Sequence, residues 1–152
     1  MGPVHTHFGV YAVVIQEFQV LTVRKARGPY TGLLDLPGGA PNPGETRDEA
    51  LIRELREEAG GVPIQFGPWN RFDILVDRDS VGRPIEFRHS GEWRSVILTE
   101  IQFGRPALED VVELEWIELS TWERRDDLSA ALRAVLIELP DHRPGVPSIE
   151  DA

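Results

Sequence analysis

Apolar positions along the chain fall in short β-branched runs, broken by glycine, proline and charge, with one strongly helical segment among them. Residues 8–15 (FGVYAVVI) and 20–24 (VLTVR) predict two strands, and residues 16–19 between them are short enough for a hairpin connection. Residues 1–7 (MGPVHTH) predict a short irregular arm. Residues 25–32 (KARGPYTG) read as a loop and residues 33–36 as a brief strand, after which PGG at 37–39 and PNPG at 41–44 break regular structure. Residues 46–59 predict a helix rich in Ala, Leu, Glu and Arg, with Thr46 as N-cap, Glu49 in a capping-box position and Gly60-Gly61 as the stop. Strand pieces follow at 64–66, 72–76, 85–89, 93–103 and 113–119, with a turn at 77–84 and a loop at 105–112. Leu128, Leu132, Val135, Leu136 and Leu139 recur at helical spacing and predict a second helix at about 121–139, with an irregular tail at 140–152. The chain therefore reads as one α+β domain over residues 1–152, a mixed sheet flanked by two main helices.

On the first helix, Glu54, Glu57 and Glu58 lie at i, i+3 and i+4, and at about 100° per residue they share one side of the cylinder. Leu51, Leu55 and Ala59 form the stripe expected to face the sheet, roughly 110° away, so the acids are expected at the helix edge with Glu57 and Glu58 facing solvent. Three carboxylates this close repel one another and raise one another's pKa values. Arg53 and Arg56 offset part of the repulsion, although Arg53 points roughly 100° away from Glu54. Hard oxygen ligands on one ridge suit Mg²⁺ or Mn²⁺, and the loop holding Gly38, Gly39 and Gly44 lets backbone approach and present a carbonyl to the same ions. The bland alternative is a solvated glutamate-rich face, the usual meaning of a charge run.

Charge and composition narrow the options. The chain has 152 residues, 26 acidic against 16 Lys plus Arg, for a formal charge of −10, with 41% hydrophobic and 28% charged residues. So acidic a chain is a poor candidate for gripping nucleic-acid polymers, yet cations held by carboxylates reverse the local sign and admit phosphorylated small molecules. The absence of Cys excludes disulfides, thiol catalysis and Cys-based zinc sites. With no apolar run long enough to cross a membrane and no leader-like start, the expectation is a soluble cytoplasmic protein.

The spacing around the helix decides between the two readings of its acids. From Gly39 the chain runs five residues to Glu45, seven more, and then Arg53-Glu54-Leu55-Arg56-Glu57-Glu58-Ala59-Gly60. This resembles the signature of the Nudix hydrolases; eight of nine specified positions agree, and the departure is Gly61, which replaces an aliphatic residue and touches no ligand. The box spans residues 39–61, about a seventh of the chain, and the order of elements is similar to the Nudix α/β/α sandwich. The resemblance implies metal-dependent hydrolysis of the pyrophosphate bond in a nucleoside diphosphate linked to another moiety. The cofactor would be Mg²⁺, or Mn²⁺, and the partner a small nucleotide rather than a nucleic-acid polymer or a membrane, with a homodimer left open. By the same resemblance Glu57 and Glu58 would be metal ligands together with the Gly39 carbonyl, and Glu54 a further ligand or the base. Arg53 would orient a box glutamate, and Glu45 would tie the loop to the helix.

The family often adds a carboxylate from a later loop, for which Asp110 is favoured over Glu109, Glu113 and Glu100. Lys25 and Arg27 are candidates to hold substrate phosphates. Trp69, Trp93, Trp116 and Trp122 are each expected in the core rather than as a stacking ring, His5 and His7 in the arm, and His89 beside a turn without a catalytic role. Neither the tyrosine of the diadenosine-polyphosphate branch nor the proline of the ADP-ribose branch stands where those subclasses carry it. A compact nucleoside-triphosphate pyrophosphatase stays open, and a nucleotide-binding or regulatory module of weak turnover is the alternative to an enzyme.

Overall fold

The computed structural model describes residues 4–104 and 111–140. In chain order the elements are β1 (Val4–Val13), β2 (Ile15–Gln16), β3 (Gln19–Lys25), β4 (Leu34–Asp35), β5 (Gly38–Gly39), α1 (Arg47–Ala59), β6 (Val62–Phe66), β7 (Asn70–Arg78), β8 (Pro84–Thr99), β9 (Val111–Glu118), a 3₁₀ turn at Trp122–Arg124 and α2 (Ala130–Glu138). The side-chain alternation of β1 splits the interior in two. Val10, Ala12 and Val14 pack with Leu51, Leu55 and Ala59 of α1, whereas Tyr11 and Val13 pack with Leu132, Val135 and Leu136 of α2. The α+β class and the layering of strands between two helices are as expected.

β1 runs parallel to β8 from Val4↔Glu86 to Val13↔Ser95 and antiparallel to β5, while β6 and β7 follow one another along the other edge of β8. A second, antiparallel sheet has β3 at its centre, flanked by β4 and β9, with β2 joined through a hairpin. The hairpin turns on Glu17 and Phe18, both left-handed (φ 50° and 63°), the conformation that a two-residue connection needs to match strand twist.

Three expectations are corrected. Residues 4–7 belong to β1 rather than to an irregular arm, because β8 is long enough to pair with them. The strands expected at 85–89 and 93–103 are one strand, β8, running through Gly91. That glycine is there for packing, since a Cβ on it would stand 2.7 Å from Phe72 Cε1 and 2.9 Å from the Gly9 carbonyl. The helix expected over 121–139 is a 3₁₀ turn followed by the nine residues of α2. Asp127 is held outside it by Arg24 and Arg125, Leu128 bridges to Leu34, and Ser129 caps α2 by accepting the Leu132 N–H. Of the tail expected at 140–152, all but residue 140 lies outside the described residues. Among the described residues no helix is long and apolar enough to cross a membrane.

Candidate active site

The register of α1 is fixed at both ends. Thr46 accepts the Glu49 N–H while the Glu49 side chain accepts the Thr46 N–H, and Gly60 ends the helix in the left-handed region at φ 67°. Between these ends Ala50, Leu51, Leu55 and Ala59 are buried against β1 and β8. That rotation puts the three carboxylates in three different environments.

Glu57 is half exposed, as expected. Glu58 is not: it is 7% exposed, and its Oε1 accepts the Gly38 N–H at 2.7 Å. The expectation that it faces solvent fails because the Gly38 turn of β5 closes over the helix edge, a contact made across 20 residues of chain. Gly38 is committed to that approach, with φ +143° and the Val10 carbonyl only 2.0 Å from where a Cβ would sit. Burial, and then the Glu54 charge beside it, push the Glu58 carboxyl well above its usual range. Glu54 is mostly covered; burial raises its pKa, and the Arg53 guanidinium works against that rise.

Arg53 joins the site in spite of its direction on the helix, because its long side chain turns back along the surface. It donates from Nε and Nη2 to the two oxygens of Glu45 at 2.8 and 2.9 Å, from Nη2 also to the Ala40 carbonyl at 3.2 Å, and from Nη1 to Glu54 at 3.0 Å and Glu57 at 3.3 Å. This guanidinium holds the Glu45 carboxyl below its usual range and ties the Gly-rich loop to α1.

Arg53, Glu54, Glu57, Glu58 and Gly39 line a cavity of about 890 Å³, and Lys25 at the end of β3 and Arg27 in the loop after it reach the same cavity. The structure thus gathers the candidate residues of the box and both candidate cations. Asp110 and Glu109 lie outside the described residues. Glu113 pairs with Arg24, and neither it nor Glu100 lines the cavity. None of the four tryptophans lines it either: Trp93 is buried, Arg47 and Arg94 cover Trp69, Arg133 lies over Trp122, and Trp116 lies beside Phe103.

Among the lining residues to which sequence reasoning gave no site role are Tyr11, Tyr30, Asp35 and His89. His89 is not beside a turn but 1% exposed in the middle of β8, with Tyr11 Oη 2.8 Å from Nε2 and Tyr30 Oη 2.8 Å from Nδ1. Burial pushes its pKa down to about 3. Asp35 is 3% exposed and accepts the Ser129 hydroxyl at 2.7 Å; burial raises its pKa and the Ser129 bond offsets part of the rise. A single acid between Leu34 and Leu36, both fully buried, was the legible signal for it. His5 and His7, expected in the arm, also line the cavity from β1.

Hard oxygen donors from Glu54, Glu57, Glu58 and the Gly39 backbone suit Mg²⁺ or Mn²⁺, and a cation beside Glu58 would offset the burial and the Glu54 charge that disfavour its ionised form. Among the described residues no three acidic or imidazole groups already converge on one point. Glu54 and Glu57 are turned to Arg53, and Glu58 to Gly38. This donor set fits an ion that keeps several waters and takes further oxygens from its substrate.

The family model for the NUDIX domain matches residues 5–139. The chain belongs to the Nudix family. Among its relatives, the ADP-ribose pyrophosphatase of Methanocaldococcus jannaschii is 34% identical over 59 residues, 39% of this chain and 35% of that protein. The 8-oxo-dGTP diphosphatase of Escherichia coli K12 is 29% identical over 110 residues, 60% of this chain and 81% of that protein. The match to the archaeal relative thus spans about a third of its length. Among solved structures, the MutT NUDIX hydrolase of Burkholderia pseudomallei superposes with a TM-score of 0.69 at 20% identity, over 88% of this chain and 97% of that one, and so shares the Nudix fold.

Proposed function

We propose that this Nudix domain is a divalent-cation-dependent pyrophosphohydrolase acting on a nucleoside diphosphate derivative. The observation that carries the reading is the cavity wall, where three α1 carboxylates of graded burial, Gly39 and Arg53 meet, with Lys25 and Arg27 lining the same space. The two named relatives act on compounds that share a phosphoanhydride, which supports the substrate class. Glu57, Glu58 and the Gly39 carbonyl would hold the cation, with Asp110 as the added carboxylate. A bound divalent cation there neutralises phosphate charge and acidifies a water molecule. In the reaction the water oxygen bonds to one phosphorus, the P–O–P bridge breaks, and the second phosphate leaves with its substituent. Glu54, held by Arg53 and with its affinity for protons raised by burial, takes the proton that the water gives up. Arg53 keeps Glu54 and the loop in place, and Lys25 and Arg27 bind phosphate oxygens.

The test is a panel of ADP-ribose, nucleotide sugars, dinucleoside polyphosphates and nucleoside triphosphates, 8-oxo-dGTP included, each with Mg²⁺, with Mn²⁺ and with EDTA. Cation-dependent cleavage of at least one member is expected. Nucleotide binding without cation-stimulated cleavage across the panel would replace the enzyme by a binding or regulatory module.

A further inference from the structure

The cavity lining combines two chemically different groups of side chains. Opposite in character to the acid ridge is an aromatic cluster in which Phe87 stacks on His89 with centroids 5.1 Å apart and 17° between planes. Tyr30 meets Phe87 edge-on at 5.4 Å and His5 meets it edge-on at 6.3 Å, and all four rings line the cavity.

Within this cluster the hydrogens of the Tyr11–His89–Tyr30 chain can be counted. His89 is neutral, its pKa held near 3 by burial, so its ring carries one N–H. Burial raises the pKa of both tyrosines, so each hydroxyl keeps its hydrogen. Three hydrogens then serve the two bonds to His89, and in either tautomer one tyrosine O–H is left over. The Ala131 backbone N–H donates toward the Tyr30 oxygen, which fills an acceptor position and leaves the surplus hydrogen unused. Among the described residues neither hydroxyl has a further acceptor, and both tyrosines line the cavity. A hydroxyl hydrogen on the cavity wall is thus available to an acceptor atom of a bound ligand.

We propose that the Tyr11–His89–Tyr30 chain is a specificity element that donates its spare hydroxyl hydrogen to an uncharged acceptor atom on a planar heteroaromatic group of the substrate. The inference rests on the hydrolase reading and deepens it, because it names what part of the substrate faces the aromatic wall of the same cavity. A neutral hydroxyl attracts an anionic oxygen less than Lys25 or Arg27 does, so phosphate goes to those side chains and the hydroxyl is left for a neutral acceptor. The aromatic walls supply the flat apolar surface that a heteroaromatic ring prefers.

The test uses the full chain with ¹⁵N-labelled histidine, kept in EDTA, because the His89 ring nitrogens report both tyrosine bonds directly. Adenosine, guanosine, cytidine and uridine are titrated separately, with inorganic phosphate and ribose 5-phosphate as controls. A saturable shift of the His89 nitrogens is expected with at least one nucleoside and with neither control. Tyr30→Phe should weaken that binding about five- to tenfold, the loss of one neutral hydrogen bond. In turnover it should lower kcat/KM by a similar factor, most of it in KM. Response to the phosphate controls but to no nucleoside, response to none of the probes, or an imidazolium at neutral pH each overturns the proposal. If Tyr30→Phe does not fold, the wild-type titration and Tyr11→Phe decide. Since binding is read without metal or turnover, hydrolysis with a silent His89 refutes this inference alone, and nucleoside binding without hydrolysis refutes only the enzyme.

Discussion

Two adjacent glycines in β5 offer a sharp test of how the ridge is assembled, because a methyl group added to each meets a different obstacle. On Gly39 a Cβ would stand 2.7 Å from Glu54 Oε1, 3.0 Å from its Cδ and 3.3 Å from Oε2. Ordinary contact begins at 3.4 Å, so the nearer oxygen must retreat by about 0.7 Å (3.4 − 2.7). That displacement is comparable to the slack separating the 3.0 Å Arg53–Glu54 bond from no bond at all. Gly39 does not have the positive φ of Gly38, so Gly39→Ala strains no backbone, and its cost in stability should stay within about 1 kcal/mol. Misplacing a reacting group on that scale can lower turnover by about 10²-fold, close to 2.7 kcal/mol of barrier. Gly38→Ala should behave oppositely: its Cβ would meet the Val10 carbonyl at 2.0 Å with φ at +143°, costing about 3 kcal/mol or more and breaking the turn that donates to Glu58. Urea unfolding separates the two variants, and cation-stimulated hydrolysis of the best panel substrate measures the loss. Should Gly39→Ala keep turnover within about threefold of wild type, the idea that Glu54 must be held against that loop is wrong.

Other residues give independent checks. Glu57→Gln and Glu58→Gln should each cut turnover by about 10²-fold or more while the fold survives, because Glu57 is half exposed and an amide oxygen in place of the Glu58 carboxylate can still accept the Gly38 N–H; circular dichroism together with the hydrolysis assay decides. His89 is neutral in the fold with a pKa of about 3 against 6.5 when free, so its contribution is complete above pH 6.5 and is lost as pH falls toward 3, where the unfolded chain binds the extra proton. Between about pH 7 and 5 wild type should lose about 2 kcal/mol more than His89→Phe in urea unfolding, and parallel curves would contradict the assignment. Ser129→Ala removes both the α2 cap and the hydroxyl donor to buried Asp35, and should cost about 2–4 kcal/mol of unfolding free energy, with a loss under about 1 kcal/mol showing that the Asp35 carboxyl is satisfied elsewhere.

What the sequence made legible was local. The cap at Thr46, the four-residue recurrence of Leu51, Leu55 and Ala59 and the Gly60 stop lie within one helix, and α1 begins and ends within a residue of its expected bounds. The rotation of the three glutamates is also local, so they reach one cavity wall. Burial of Glu58 was out of reach, because it depends on Gly38 closing from another strand, and so was the pairing of His89 with tyrosines 78 and 59 residues away. The continuity of β8 between residues 89 and 93 was hidden for a related reason: a glycine that ends a strand and one that admits a neighbouring ring look the same until Phe72 is placed beside Gly91.

The unequal environments of Glu54, Glu57 and Glu58 have a physical logic that equal exposure would lack. Were all three solvated, each would be screened and mobile, and an ion would have to pay to order them. Were all three buried, their mutual repulsion would favour protonation and leave no charge for a cation. Here one acid is fixed and desolvated by a backbone N–H, one is held at an intermediate depth by Arg53, and one stays at the solvent edge on the weakest of the Arg53 contacts, 3.3 Å. Arg53 is thus the ridge's own counterion, and its two bonds to Glu45 keep that charge in place if Glu54 and Glu57 turn toward a cation. It follows that replacing Arg53 with Lys, which keeps the charge but cannot span Glu45, Glu54 and the Ala40 carbonyl together, should damage the site nearly as much as removing the charge.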